Sequence, residues 1–129
     1  MSLTHRSPTA RQDDEEFLLH DLRVDVLSSG DGRPMVCDHT EGDHFLVHDD
    51  DLVSFPTGRP FPLFPLAALL PLLAAKTRPL QRNDWMTTDT DIACPDPLCG
   101  GVFRITQGPA RTYRHSEQSA VELTPTPAT

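Results

Sequence analysis

The stretch that decides the fold spans residues 59–76 and reads RPFPLFPLAALLPLLAAK. Residues 61–75 carry no charged and no hydrogen-bonding side chain, and leucines recur at the spacing of one helical face: Leu66, Leu69, Leu70 and Leu73. Alanines and further leucines cover the other side, so the segment is apolar all round. It is shorter than the roughly 20 residues of a membrane span and is interrupted by prolines. We therefore expect a buried helix at the centre of a soluble core.

Prolines shape this predicted helix. Pro65 fits the first turn, where a backbone N–H would have no partner in any case. Pro71 lies in the interior, where the loss of one hydrogen bond and the crowding of a carbonyl cost about 3 kcal/mol. A kink or a break near Leu70 is the expected result. Lys76, at the end of the segment, is placed to interact with the negative end of the helix dipole.

Length and charge limit the classes of function. The 129 residues are enough for one domain with a hydrophobic core. The chain is acidic, with a net charge of −8. An acidic surface repels nucleic-acid phosphates and anionic membranes, so neither nucleic acid nor a membrane is an expected partner. The simplest interpretation of the charge is a solvated acidic face, although a cationic partner surface or a metal cation is also compatible with it.

The ends of the chain differ from its middle. Residues 1–16 lack the apolar segment of a secretory signal, which predicts a cytoplasmic protein. Residues 1–16 and 108–129 show no periodicity and are rich in proline, serine, threonine and charge, so both are predicted to be disordered tails. Residues 17–107 are then a single domain. An odd number of cysteines in a reducing compartment favours free thiols or metal ligands over disulfides.

Within that domain the pattern predicts two strands, the helix and two more strands. Residues 17–28 alternate apolar and charged side chains, which is typical of a half-buried strand. Residues 43–53 supply a second strand, ended by the acidic triplet at 49–51. Residues 91–94 and 101–106 form a short hairpin that contains cysteine. The predicted fold class is α+β, a small antiparallel sheet covered by one kinked apolar helix.

The hairpin carries the clearest chemical signal. The sequence CPDPLCG places Cys94 and Cys99 on either side of a proline-rich turn, with two glycines after the second thiol. This C-x4-C spacing is at the long end of the separations found in zinc sites, and the segment resembles one knuckle of a zinc ribbon with two residues inserted. One knuckle provides half of a tetrahedral site.

The other half is predicted in the segment MVCDHTEGDH. Cys37 and His39 are two residues apart and would project from the same side of an extended chain. His44 and His48 are the next candidates. The predicted site binds zinc, or another transition metal, and joins the strands before the helix to those after it. Its four ligands are Cys37, His39, Cys94 and Cys99. The competing interpretation is that Cys37 and Cys94 are small buried hydrophobes and that Cys99 is an ordinary turn residue.

Four segments occur in a characteristic order between about residues 22 and 106: VCDHTEGDHFLV, LAALLPLLAAKTR, NDWM and ACPDPLCGGVFRI. This succession resembles a family of small uncharacterised bacterial proteins with a GD-x-F strand, a leucine-rich LLPLL helix, NDWM and ACPDPxCGxxFRI. The resemblance implies a shared compact domain in which Gly42 and Asp43 open a strand and Trp85 is a common feature. It implies no activity, and Cys37 and Cys94 carry over only as matching positions.

Two functions from different classes stay open. The first is a small metal-binding domain that acts as a structural or adaptor protein, with a protein partner or as a homodimer. The second is a small metal- or cysteine-dependent enzyme that modifies a small molecule, with Cys37 as a metal ligand or as a reactive thiolate beside Met35 and Trp85. The usual motifs for dinucleotide binding, P-loop hydrolysis, serine hydrolysis and zincin chemistry do not occur in the sequence.

Overall fold

The computed structural model of the protein describes residues 14–124. Five strands form one antiparallel sheet in the order β3-β2-β1-β5-β4. The strands are β1 Glu16–Ser28, β2 His44–His48, β3 Leu52–Ser54, β4 Asp91–Ala93 and β5 Gly101–Arg114. The helices are α1 Leu63–Lys76 and α2 His115–Gln118, with a 3-10 turn at Trp85–Thr87. The predicted small α+β fold is confirmed. No helix in residues 14–124 has the length and apolar content needed to cross a membrane.

The two long strands, β1 and β5, lie at the centre of the sheet. Successive side chains of a strand point to opposite faces, so Leu22, Val24 and Val26 of β1 share one face and are buried. Phe103 and Ile105 of β5 lie on the same side and are each 1% exposed. Together with residues of β2 and α1, these side chains form the hydrophobic core.

β5 is longer than predicted. The sequence pattern suggested a strand that stops at residue 106 and a tail from residue 108, but β5 continues to Arg114, which pairs with Glu16 at the far end of β1. Gly108 and Pro109, which indicated a loop, lie instead at a bulge where the register of the two strands shifts. The predicted domain boundary at 107 therefore falls inside a strand. The ends of the predicted tails, residues 1–13 and 125–129, lie outside the described residues.

A hairpin replaces the single strand predicted over residues 43–53. β2 ends at His48, the chain turns through the acidic triplet, and β3 pairs back with Leu52 opposite His48. Asp49 and Asp50 adopt positive φ angles of 50° and 75°. Aspartate tolerates this conformation better than most residues with a side chain. The triplet therefore ends a strand, as predicted, and also leads into a strand that we did not predict.

α1 packs only one stripe of side chains against the sheet, so the prediction of a helix buried on all sides is wrong. Leu63 and Phe64 are 69% and 79% exposed, because no second layer covers the outer face of the helix. The buried residues are Pro65, Leu69, Leu73 and Lys76. Their spacing of three to four residues is that of a single helical face.

Of the predicted kink or break near Leu70, the break is not found, since α1 continues through Pro71. The hydrogen bond that Pro71 cannot donate would go to the carbonyl of Ala67, and Ala67 is exposed, so water can replace the missing donor. Lys76 lies in the last turn, as predicted, but it is only 2% exposed. Its Nζ donates to the main-chain carbonyls of Met86 at 2.5 Å and Asp89 at 2.8 Å.

Candidate metal centre

The structure brings together the four residues for which the sequence predicted a metal site. The ligand atoms of Cys37, His39, Cys94 and Cys99 all lie within 4.8 Å of one another. The sulfurs of Cys37 and Cys94 are 3.5 Å apart, and Cys99 Sγ is 3.8 Å from His39 Nε2. Around a tetrahedral zinc ion, the usual bond lengths require about 3.8 Å between two sulfurs and about 3.6 Å between sulfur and nitrogen. The cluster therefore has the dimensions of a site that can hold a metal ion.

Cys37 and His39 are held by the connection between β1 and β2. Ser29 N donates to Gly100 O, and Gly100 N donates to Pro34 O, both at 2.8 Å. These bonds fasten the connection to the start of β5. The chain bends at residues 37 and 38, so the extended conformation assumed from the sequence is wrong in detail. The two side chains nevertheless converge on one point.

Cys94 and Cys99 are held by the turn between β4 and β5. Asp96 closes this turn, because its carboxylate accepts from Leu98 N at 2.9 Å and its main-chain carbonyl accepts from Cys99 N at 3.0 Å. Cys94 N donates to Gly101 O at 3.0 Å. The proline-rich turn thus brings its two thiols together, as the CPDPLCG segment predicted.

Two consecutive glycines allow the two halves of the cluster to approach. A Cβ atom on Gly101 would lie 2.3 Å from His39 Cε1, and one on Gly100 would lie 2.3 Å from the carbonyl oxygen of Arg33. Both separations are far shorter than van der Waals contact, so a side chain at either position would displace its neighbour. The glycines were visible in the sequence, but their role depends on contacts between distant segments.

His39 is buried in a way that leaves its ring free to bind a metal. The imidazole is 4% exposed and packs edge-on against Phe103, with ring centroids 5.0 Å apart. Within residues 14–124, its Nδ1 is the one buried side-chain nitrogen or oxygen without a hydrogen-bond partner. Leaving a buried polar atom without a partner usually costs about 1–3 kcal/mol of stability. Nε2 faces Cys99 at a distance too long for a strong hydrogen bond. Burial lowers the pKa of His39, which favours the neutral, metal-binding form.

The surroundings of the three thiols shift their pKa values in different directions. Burial, followed by the neighbouring thiols of Cys94 and Cys99, raises the pKa of Cys37 to about 12. Burial also raises the pKa of Cys94. At Cys99 burial acts in the same direction, but backbone N–H groups of Cys37, Gly101 and Val36 outweigh it and lower the pKa to about 7. A divalent cation would offset the repulsion among three thiolates, and a Cys3His donor set is typical of zinc.

The other histidines of residues 14–124 and the tryptophan are not part of this cluster. His48 uses both ring nitrogens elsewhere, with Asp49 Oδ2 at 3.0 Å and Ser54 Oγ at 2.7 Å. His44, the other reserve candidate, precedes it on β2 and lies outside the group of four. Trp85 is 58% exposed and does not line the cleft beside Cys37, so the structure does not support a catalytic pairing of the two.

Asp43 is a supporting residue that we did not predict. It is 5% exposed, and its Oδ2 accepts from Thr40 N at 3.1 Å. Its Oδ1 accepts from the guanidinium of Arg59. One carboxylate therefore fixes the turn that follows His39 and ties it to the start of the apolar stretch. The available signal was a Gly-Asp pair in front of an apolar strand, which we interpreted only as the opening of that strand.

Comparison with known proteins found no match among family models, curated proteins or solved structures. The resemblance to a bacterial family therefore stays a prediction.

Proposed function

We propose that the protein is a small zinc-binding domain whose ion stabilises the fold. The observation that carries the proposal is the convergence of four ligand atoms within 4.8 Å, two from each side of α1 in the sequence. Four protein ligands complete a tetrahedral shell, which is the arrangement of structural zinc sites, whereas catalytic sites keep an open position. Zinc is favoured because thiolate and imidazole ligands suit it, and a reducing cytoplasm would keep the thiols available.

The ion would act as a cross-link between two loops. It would join the connection between β1 and β2 to the turn between β4 and β5, which are otherwise fastened by main-chain hydrogen bonds near Gly100. A ligand that binds only the folded state adds about 4.1 kcal/mol to stability when its free concentration is about 1,000 times the dissociation constant. For a domain of this size, that is a large share of the total free energy of unfolding.

Elemental analysis of the purified protein tests the proposal directly. We expect about one zinc ion per chain, and a cobalt-substituted protein should show the visible absorption of tetrahedral, sulfur-ligated cobalt. Cys94→Ser should release the metal and lower the melting temperature sharply. His48→Ala is the matched control, since His48 lies outside the cluster and should retain the metal. Metal-free protein that melts at the same temperature with or without added zinc would refute the proposal.

An adaptor role would require a partner protein or a second copy of the chain. The outer face of α1 offers apolar surface for such a contact, because Leu63, Phe64 and Leu70 are all at least 47% exposed. Sedimentation equilibrium of the zinc-loaded protein distinguishes the alternatives. A concentration-dependent dimer supports self-association, whereas a strict monomer limits the proposal to a structural ion or to a different partner protein.

One observation favours a second candidate, a small metal- or cysteine-dependent enzyme. Cys37 is only half-buried and, together with Cys94, lines a cleft that a small molecule can enter. An exchangeable metal position at Cys37 would place chemistry at that cleft. Because its pKa is raised to about 12, the Cys37 thiol would need a bound metal to form a thiolate near neutral pH. A Cys37→Ala variant that loses turnover but keeps its fold would support an enzymatic function. Loss of fold and metal together would support the structural role.

A further inference from the structure

A cleft of about 380 Å³ opens beside the Cys3His cluster. Three prolines and Phe64 form its apolar lining, and two of the predicted metal ligands, Cys37 and Cys94, also face it. The remaining lining residues are Asp38 and Asp96. The volume lies within the range of about 300–1,000 Å³ that is usual for small-molecule sites. The cleft is therefore large enough for a ligand of modest size.

Among the described residues, the charged side chains that line the cleft are all negative. Neither Asp38 nor Asp96 forms an ion pair with a basic side chain between residues 14 and 124. The Oδ1 of Asp96 accepts from Leu98 N at 2.9 Å, and its Oδ2 accepts from the Cys37 thiol at 3.7 Å. Zinc with three thiolates and a neutral histidine would add one further negative charge, since +2 − 3 = −1. A cleft lined by one sign of charge attracts ligands of the opposite sign.

The apolar part of the cleft includes an unusually exposed aromatic ring. Phe64 lies in the first turn of α1 and is 79% exposed, although it is bordered by the buried Pro65. The face of an aromatic ring attracts a cation within about 6 Å, and an apolar group can stack on the same ring. Phe64, beside two carboxylates that have no basic partner, thus provides both an apolar wall and a means of recognising positive charge.

We propose that this cleft binds a small organic cation, namely a primary amine or guanidinium joined to an apolar group. Asp38 and Asp96 receive the charged end, and Phe64 and the prolines receive the apolar end. The proposal goes beyond the structural zinc site and depends on it only for the additional negative charge. A lysine or arginine side chain of a partner protein has similar chemistry, but the volume of the cleft, about 380 Å³, matches the size of a small-molecule site and favours a free small molecule.

Calorimetric titration of the full-length, metal-loaded protein tests the proposal. The probes are benzylamine, phenethylamine and benzylguanidine at pH 7, compared with benzyl alcohol as a neutral analogue and benzoate as an anion. We expect each cation to bind at least tenfold more tightly than benzyl alcohol, and benzoate not to bind. Cations that bind no more tightly than benzyl alcohol would overturn the proposal, as would a lysine-containing peptide that binds far more tightly than all three.

Matched variants locate the site. Asp38→Asn, Asp96→Asn and Phe64→Ala should each weaken benzylamine binding by about fivefold or more. Asp51→Asn and Leu63→Ala alter exposed residues that do not line the cleft, and they should bind as the wild type does. Equal effects of the two sets would place the ligand elsewhere and overturn the assignment. Metal content is measured on every sample. A protein that takes up no zinc even when zinc is added, but still binds cations at Asp38, would refute the zinc proposal and leave the cation site standing.

Discussion

Gly101→Ala is the sharpest test of the packing that brings the two halves of the metal centre together. The new Cβ would lie 2.3 Å from His39 Cε1, and ordinary contact begins at 3.4 Å, so the ring must move by about 3.4 − 2.3 = 1.1 Å. Phe103 packs against the same imidazole and limits where it can go. Metal sites tolerate changes in ligand distance of only about 0.2 Å. We therefore expect zinc affinity to fall at least tenfold, about 1.4 kcal/mol.

The same substitution should also destabilise the metal-free protein, because overpacking typically costs about 1–3 kcal/mol. Competition with a chromophoric chelator measures the affinity, and urea unfolding with and without zinc measures the two stabilities. Gly108→Ala is the control, since its Cβ would lie 3.3 Å from Asp21 O at the bulge, away from the cluster. It should leave zinc affinity within twofold of the wild type. An unchanged affinity and stability in Gly101→Ala would refute the reasoning.

Three further predictions concern stability. Removing zinc with a chelator should lower the free energy of unfolding by about 4 kcal/mol relative to the zinc-saturated protein, as measured by urea unfolding. Identical urea-unfolding curves for the zinc-loaded and metal-free protein would contradict a structural ion. Asp43→Ala should cost about 1–2 kcal/mol of stability, because Thr40 N loses its acceptor. Chelator competition should also show weaker zinc binding. Unchanged stability would show that Asp43 does not support the turn after His39. Lys76→Met should cost about 2–3 kcal/mol, because the carbonyls of Met86 and Asp89 lose a charged donor. Burial lowers the pKa of Lys76 below its usual 10.5, so the unfolded chain holds the proton to higher pH. Stability of the wild type relative to Lys76→Met should therefore rise with pH as the pH approaches 10.5, and a fall over that range would contradict the buried placement.

Patterns confined to a few neighbouring residues were enough to predict much of the fold. The alternation of Leu22, Val24 and Val26 specified β1, because side-chain direction in a strand depends only on position. The continuation of β5 past residue 107 could not be predicted in the same way. Gly108 and Pro109 interrupt most strands, and pairing with β1 decides that here they form a bulge.

The exposed outer face of α1 also could not be predicted from local sequence patterns. Composition established that residues 61–75 are apolar, and the leucine spacing indicated a helix. Whether one face or the whole helix is buried depends on how many layers pack around it, which is a property of the assembled domain. Lys76 illustrates the same point, because its burial depends on carbonyls supplied by the turn that begins at Trp85.

By itself, the sequence determined the chemistry of the candidate site, since thiols and an imidazole are properties of the side chains at Cys37, His39, Cys94 and Cys99. It also predicted that the proline-rich turn holds two of them together, because that contact is local. Only the tertiary structure decided that the two pairs meet. Their distance depends on the pairing of β1 with β5, on main-chain bonds between Gly100 and the preceding connection, and on the space left by Gly101, and these interactions join segments far apart in the chain.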